Sequence, residues 1–346
     1  MGLVAAEKGV AMSDRRLFVV CGVVSVGIAC VCAFFGMSTL SVTGIFTSGS
    51  PDAEVFWRLR LPRVTAAFFA GAGLSVAGMV FQAMFRNPLA TPFTLGVSSG
   101  AALGASLYFY LGAGLAAFGS LGKLAGLGSL GAALLGGLFS MALVYLLTRA
   151  RGGFSTPVML LAGVVINFFF ASLVLFIQYL SNTVESMRIL HWLMGSLSSI
   201  EAARIADLAF IVVAGALFIY WMSPELDLFI AGEEFAASRG VAVRRVTIQA
   251  FFVSSLVVGA VVSLTGPIGF VGMMVPHVCR MWLGYAHKRL LPASFFAGGC
   301  FLVVCDMVSR MVLAPAELPI GIITALAGGP FFLWTLLRAT RRGDML

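Results

Sequence analysis

Long unbroken apolar runs decide the solvent in which this chain can fold. "LFVVCGVVSVGIACVCAFFG" (17–36) carries no charged residue. An α-helix rises 1.5 Å per residue, so about 20 apolar residues cross the roughly 30 Å hydrocarbon core of a bilayer. A transmembrane β-barrel would instead show segments of about 10 residues alternating apolar and polar. Runs of the helical kind recur along the chain. They predict ten spans near 17–38, 64–85, 94–117, 124–147, 157–180, 202–222, 246–266, 267–285, 290–313 and 318–338. Charge agrees with this. Only 10% of the 346 residues are charged and 60% are hydrophobic, whereas a soluble domain is about 25% charged. A water-soluble fold of this composition would expose large apolar patches. The expected fold class is an all-α polytopic membrane protein of about ten transmembrane helices. Residues 1–16 and 339–346 are expected as cytoplasmic tails around a single membrane domain, 17–338.

The first run follows Lys8, Arg15 and Arg16. Its apolar stretch exceeds the 7–15 residues of a signal peptide and no A-x-A site follows, so it is expected to stay as the first helix. Cys21, Cys30, Cys32, Cys279, Cys300 and Cys305 lie in apolar runs without a CxxC pair. They are expected as small buried hydrophobes, not as a disulfide framework or metal site.

Cationic residues set the orientation. With the N-terminus in the cytoplasm, only Arg58, Arg60, Arg63, Lys123, Arg188, Arg204 and Arg310 fall outside, and the other Lys and Arg fall inside. The positive-inside rule favours this arrangement, with both termini cytoplasmic. The net charge of +8 is then a property of the inner loops and requires no nucleic acid. Three outer arginines are packed into "RLRLPR" (58–63), against the rule. Snorkelling to headgroups suits a single arginine better than a cluster. Pro62 is expected to open the second helix, where its missing N–H costs little. An outward basic patch of this kind invites an acidic partner.

Within the spans, Gly96, Gly100 and Gly104 recur at spacing four, as do Gly122 and Gly126. Small residues at this spacing let helix backbones approach closely, so the third helix is expected among other helices. Asp207, His277, Arg280, Asp306, Arg310 and the edge residue Glu317 are the main ionisable groups. Asp306 and Arg310, at i and i+4, are placed to pair on one helix face. His277, after Pro276, reads as structural. There is no HExxH, GxSxG or zinc spacing, and "GSLGKL" (119–124) lacks the upstream Gly and the Ser/Thr of a Walker A loop. The chain is not expected to hydrolyse ATP. "GMVFQAMFR" (78–86) and "GMMVPHVCR" (272–280) share Gly, Met and Arg at the same offsets, a faint half-repeat of a kind common in transporters. The longest inner segment, 223–245, is a short amphipathic stretch with Glu233 and Glu234, broken at Gly240 before Arg244 and Arg245. Such a segment suits docking in the groove of a soluble partner.

The stretch "RLPRVTAAFFAGAGLSVAGMVFQAMFRNPLATPFTLGVSSGAALGA" resembles the second and third helices of the FecCD-type permeases. These are the membrane subunits of ABC importers for ferric siderophores, haem and vitamin B12. "AGEEFAASRGV", "GPIGFVGMMVPHVCR" and "AELPIGIITALAGGPFFLWTLLR" are similar to later signatures of the same family. The resemblance implies the type II ABC importer fold, a homodimer with the substrate path on its axis, and two cytoplasmic ATPase subunits below. It also implies a periplasmic binding protein above. It gives Arg60, Arg63 and Arg310 to docking of that binding protein. It gives Glu233, Glu234, Ser238, Arg239 and Gly240 to contact with the ATPase, although the family often has Leu where this chain has Arg239. It gives "LHWLMGSLSSI" (190–200), with Trp192 and Gly195, to an outer gate. Arg58 is additional to the motif. No cofactor is expected on this chain, with Mg-ATP used by the partner ATPase. The substrate implied first is an iron chelate, a ferric siderophore or haem, with cobalamin as the alternative. The rival is an ion-driven secondary transporter. It needs membrane carboxylates such as Asp207 and Asp306 to hold its ion.

Overall fold

The computed structural model describes residues 14–342 except 37–39, 48, 116–127, 151–155, 199 and 201. Gly122, Lys123, Gly126, Arg151, residues 1–13 of the first expected tail and 343–346 of the second lie outside the described residues. We name the two membrane faces outer and inner by the charge-based expectation above.

Helices stand where the ten spans were expected. They are α1 (Asp14–Phe34), α2 (Leu61–Phe85), α3 (Val97–Leu115), α4 (Gly128–Ala150), α5 (Thr156–Leu180), α7 (Ala202–Trp221), α10 (Val243–Thr265), α11 (Val271–Leu283), α12 (His287–Met311) and α13 (Ile320–Arg342). Shorter helices join them, among them α6 (Thr183–Leu193), α8 (Ser223–Ala231) and α9 (Glu233–Ser238). Seven of the described helices are long and apolar enough to cross a membrane.

Two boundaries differ from expectation for identifiable reasons. The second helix does not open at Pro62. Helix runs continuously from Pro51 to Phe85, and Pro51 takes the first-turn position with Ser50 as its cap, the Ser50 hydroxyl accepting from Ala53 N at 3.2 Å. Charge inside "RLRLPR" hides this extension from a hydropathy reading. The eighth span is only partly helical. α11 has 13 residues, about 20 Å at 1.5 Å per residue, too short to cross alone. Before it, Gly266–Phe270 is non-helical. Gly266 has φ +69° and Phe270 φ +68°, and Pro267 offers no N–H, so a helix cannot continue through them. Irregular backbone is tolerated at membrane depth only where protein surrounds it. Ile268 is fully buried, and the Thr265 carbonyl accepts from Ser196 N at 2.8 Å.

α2 is the central post of the bundle. Its core window is 83% buried, against 17% for α1. Small residues let its neighbours close in. A Cβ on Gly71 would meet the Gly298 carbonyl of α12, and one on Gly78 would meet Gly272 of α11 at 1.8 Å. Gly78 and Gly272 are the matching glycines of the two half-repeats, so the faint internal similarity marks the crossing of α2 and α11. Gln82 Nε2 reinforces this crossing by donating to the Met273 carbonyl at 3.1 Å. The expected close approach of the third helix is also present. Gly100 lies against Gly136, and Gly104 against Ala132, both on α4. The cysteines carry no disulfide. Cys32, Cys279 and Cys305 are buried as expected, whereas Cys21 and Cys300 are half-buried and Cys30 is exposed.

Candidate functional site

The outer arginines sit on a distorted part of the second helix. Val55–Arg60 is a π-helical stretch, in which Leu61 N–H reaches back to the Phe56 carbonyl. A proline at 62 cannot supply the next α-helical N–H, and π turns of this kind recur at functional sites. The wider turn spreads Arg58, Arg60 and Arg63 into three different environments.

Arg60 turns inward and is 6% exposed. Its Nη1 donates to the Phe34 carbonyl at 2.6 Å and to that of Ala33 at 3.4 Å. Arg310 is 5% exposed, with Nη1 donating to Phe35 at 3.0 Å and Nη2 to Cys32 at 3.3 Å. Those carbonyls belong to the last turn of α1, where a helix has no internal donors left for them and its dipole is negative. Two guanidinium groups therefore cap α1. Arg310 Nε also donates to Asp306 Oδ2 at 3.0 Å, the expected i, i+4 pair. The other oxygen of Asp306 accepts from Arg63 Nε at 2.8 Å. Asp306 is fully buried, so one carboxylate bolts α2 to α12. Arg63 Nη1 in turn holds both oxygens of Glu317 at 2.9 Å. Arg58 stays in solvent, paired only loosely with Glu54 at 3.3 Å.

The expected outward basic patch is thus exposed unevenly. Arg60 and Arg310 are bonded within the chain, and Arg58, which the motif does not require, is the exposed member. The groups nevertheless converge. Arg58, Arg60, Arg63, Arg310 and Glu317 line one outward cleft of about 380 Å³. Glu317 was legible only as an edge charge, because its partner Arg63 is far away in sequence. A smaller cleft of about 130 Å³ beside it is lined by Arg63, Glu317, His191 and Ser198.

That second cleft leads to the expected gate. α6 begins at a capping box, in which Asn182 accepts from Glu185 N and Glu185 accepts from Asn182 N. It ends just before Gly195, which has φ +73° and no room for a Cβ against the Pro267 carbonyl. Gly266 abuts the Trp192 carbonyl and Gly321 abuts that of Met194. Trp192 is half-buried against the core. The hinge after α6, the non-helical stretch before α11 and the start of α13 therefore meet at one backbone-packed point.

On the inner face, 223–245 forms two short helices, α8 and α9, separated by Gly232 at φ +125°. Gly240 has φ +85°, the left-handed geometry expected for it. Glu234, Ser238, Arg239 and Gly240 are exposed. Glu233 is half-buried and accepts from the Thr156 hydroxyl at the start of α5. Arg239 lies over the Phe235 ring at 5.3 Å. α8 is anchored by Asp227, whose Oδ1 lies 2.6 Å from His287 Nδ1 and accepts His287 N–H at 2.9 Å. Burial pushes the Asp227 carboxyl up, but the hydrogen bonds from His287 outweigh it and hold it below its ordinary value.

The remaining ionisable groups form no such site. Asp207 is exposed near the start of α7, and Asp306 is held between two arginines. His277 packs among Phe331 and Phe332 at 6.1 and 6.2 Å. Arg280 lies 5.5 Å from the Tyr285 ring. Among the described residues no group of three or more His, Cys, Asp or Glu is placed to hold a metal ion.

Comparison with known proteins gives a consistent result. The FecCD transport family matches residues 22–338. The chain is 38% identical to the ABC transporter permease protein YvrB of Bacillus subtilis over 86% of this chain and 84% of that one. It is 34% identical to the hemin transport system permease protein HmuU of Yersinia pestis, covering 88% and 90%. It is 37% identical to the vitamin B12 import system permease protein BtuC of Escherichia coli O157:H7, covering 84% and 86%. A metal-chelate type ABC transporter solved in an inward-facing conformation superposes with a TM-score of 0.81 at 30% identity, covering 94% of this chain and 99% of that one. The chain belongs to the FecCD transport family and is a non-catalytic permease subunit of an ABC transporter.

Proposed function

We propose that this permease imports an iron chelate, a ferric siderophore or haem, in the bacterial inner membrane with both termini cytoplasmic. A periplasmic binding protein delivers the chelate to the outer face, a homodimer of the permease forms the path, and two ATPase subunits drive alternating access from below. The arrangement of the outer cleft carries this reading. Four arginines and Glu317 meet there around one opening, next to the backbone-packed turn of Trp192 and Gly195. In this reading the acidic surface of the binding protein competes with Glu317 for Arg63, and Arg60 and Arg310 hold α1 and α12 behind the contact. Exposed ion pairs add little affinity, about 0–1 kcal/mol each, so the charges chiefly orient and speed association. Glu234, Ser238, Arg239 and Gly240, with Glu233 tied back to α5, form the ATPase contact. The hemin relative supports an iron chelate, and the metal-chelate structure is compatible with either metal-bearing substrate. The vitamin B12 relative, at comparable identity, supports cobalamin as the second reading.

The test is ATP hydrolysis by the reconstituted complex with binding proteins loaded with a ferric siderophore, haem or cobalamin. Stimulation by a siderophore or haem is the expected result. Stimulation by cobalamin alone selects the second reading. In the same assay Arg58→Glu, at the exposed arginine outside the buried network, is expected to weaken docking at low salt and leave basal hydrolysis intact. Equal binding-protein affinity for variant and parent contradicts the docking role.

A further inference from the structure

A further cleft, unrelated to docking or the gate, opens between α1 and α7 over the first turns of α12, at the α1 N-terminal end. It has a volume of about 570 Å³. Its walls are apolar, with Phe18 on α1, Leu217 on α7, and Phe295 and Phe296 on α12. Phe18 and Phe296 meet edge to face at 5.3 Å. Its rim is cationic, since Arg15 and Lys288 both line it and both are exposed. Asp14 also lines it, but its carboxylate is engaged by Arg289 Nε at 2.6 Å. The rim therefore presents net positive charge directly above an apolar slot.

The same pair of helices supplies its own control. Toward the other end of α1 and α12 lies a cleft of about 550 Å³ lined by Val24, Val31, Phe35, Val304 and Met307, among others, with no charged residue. Both clefts suit an acyl chain. Only the first adds two cations at the depth of the headgroups, where Lys and Arg attract anionic lipid. We infer that the α1–α7–α12 cleft is a binding site for an anionic diacyl phospholipid, with Arg15 and Lys288 on the phosphate and a tail between Phe18, Leu217 and Phe296. The site adjoins the inner coupling segment. α7 runs directly into α8, and His287, beside Lys288, holds Asp227 of α8. A lipid bound there braces the elements that carry α8.

The test is native mass spectrometry of the full chain purified from vesicles of equal phosphatidylglycerol and phosphatidylcholine. The parent is expected to retain phosphatidylglycerol preferentially. Arg15→Glu with Lys288→Glu is expected to lower that retention about thirtyfold, at about 1 kcal/mol for each of the two cations lost. Leu217→Trp, which fills the slot and spares the rim, is expected to lower it as well. All three positions are exposed, so an unchanged unfolding midpoint should accompany the loss. Equal retention of both lipids by the parent would overturn the proposal, as would a preference that survives charge reversal. Displacement of the lipid by inorganic phosphate alone would overturn it too, marking a free-anion site.

Discussion

The outer and inner faces both carry charge, but they hold it in opposite ways. Outside, Arg60 and Arg310 spend their donors on the last carbonyls of α1, and Asp306 ties Arg63 to Arg310. Inside, Glu234 stands exposed on a helix of six residues and Arg239 stands exposed at its C-cap, with contacts that are mostly local. The outer charges are structural first, and any docking is performed by a pre-set surface. The inner charges contribute little to the fold and are left for a partner. Truncation should therefore damage stability outside and coupling inside.

The largest expected effect comes from breaking the outer network. Asp306→Ala leaves the buried Arg310 guanidinium without its carboxylate and Arg63 with Glu317 alone, and removing one partner of a buried ion pair costs about 3–5 kcal/mol. A marked fall in the thermal unfolding midpoint in detergent checks this. Replacing Asp306, Arg63 and Arg310 together by apolar residues of similar volume should recover much of the loss. The inner face predicts the converse. Glu234→Lys with Arg239→Glu should change stability by no more than about 0.5 kcal/mol, as surface changes usually do. ATP-driven uptake by the complex should nevertheless fall about tenfold. An unchanged uptake rate would remove the contrast between the faces.

Two smaller effects sharpen it. Glu317→Gln removes the internal competitor for Arg63 without disturbing Asp306. Binding-protein affinity at low salt should rise a few-fold, and the rise should shrink as salt screens the contact. On the inner side, Asp227 is held below its ordinary value by His287. A carboxyl depressed in the folded state adds stability above its unfolded value, about pH 3.9, and loses it as pH falls through the lower folded value. Its side chain is 39% exposed, so the effect is small. Acid titration of the unfolding midpoint should show a slightly shallower drop for Asp227→Asn than for the parent.

Much of this arrangement was legible in the sequence. The apolar runs located the ten helices, because hydrocarbon admits little else. Gly100 and Gly104 announced the α3–α4 contact, and Gly240 its left-handed turn. Asp306 and Arg310 announced their pair through i, i+4 spacing. What stayed hidden depended on contacts distant in sequence. Nothing near Arg60 says that it caps α1, and nothing near Glu317 points to Arg63. The helical run from Pro51 was masked by the charge of "RLRLPR". The non-helical Gly266–Phe270 was masked by the opposite property, since hydropathy reads buried coil and buried helix alike.

The central claim is that the chain is a gate worked by its partners and carries no driving force of its own. Uptake into proteoliposomes tests it most directly, comparing the chain alone under an imposed proton or sodium gradient with the chain joined to its ATPase and loaded binding protein. No accumulation is expected in the first case and ATP-dependent accumulation in the second. Gradient-driven uptake by the chain alone would contradict it.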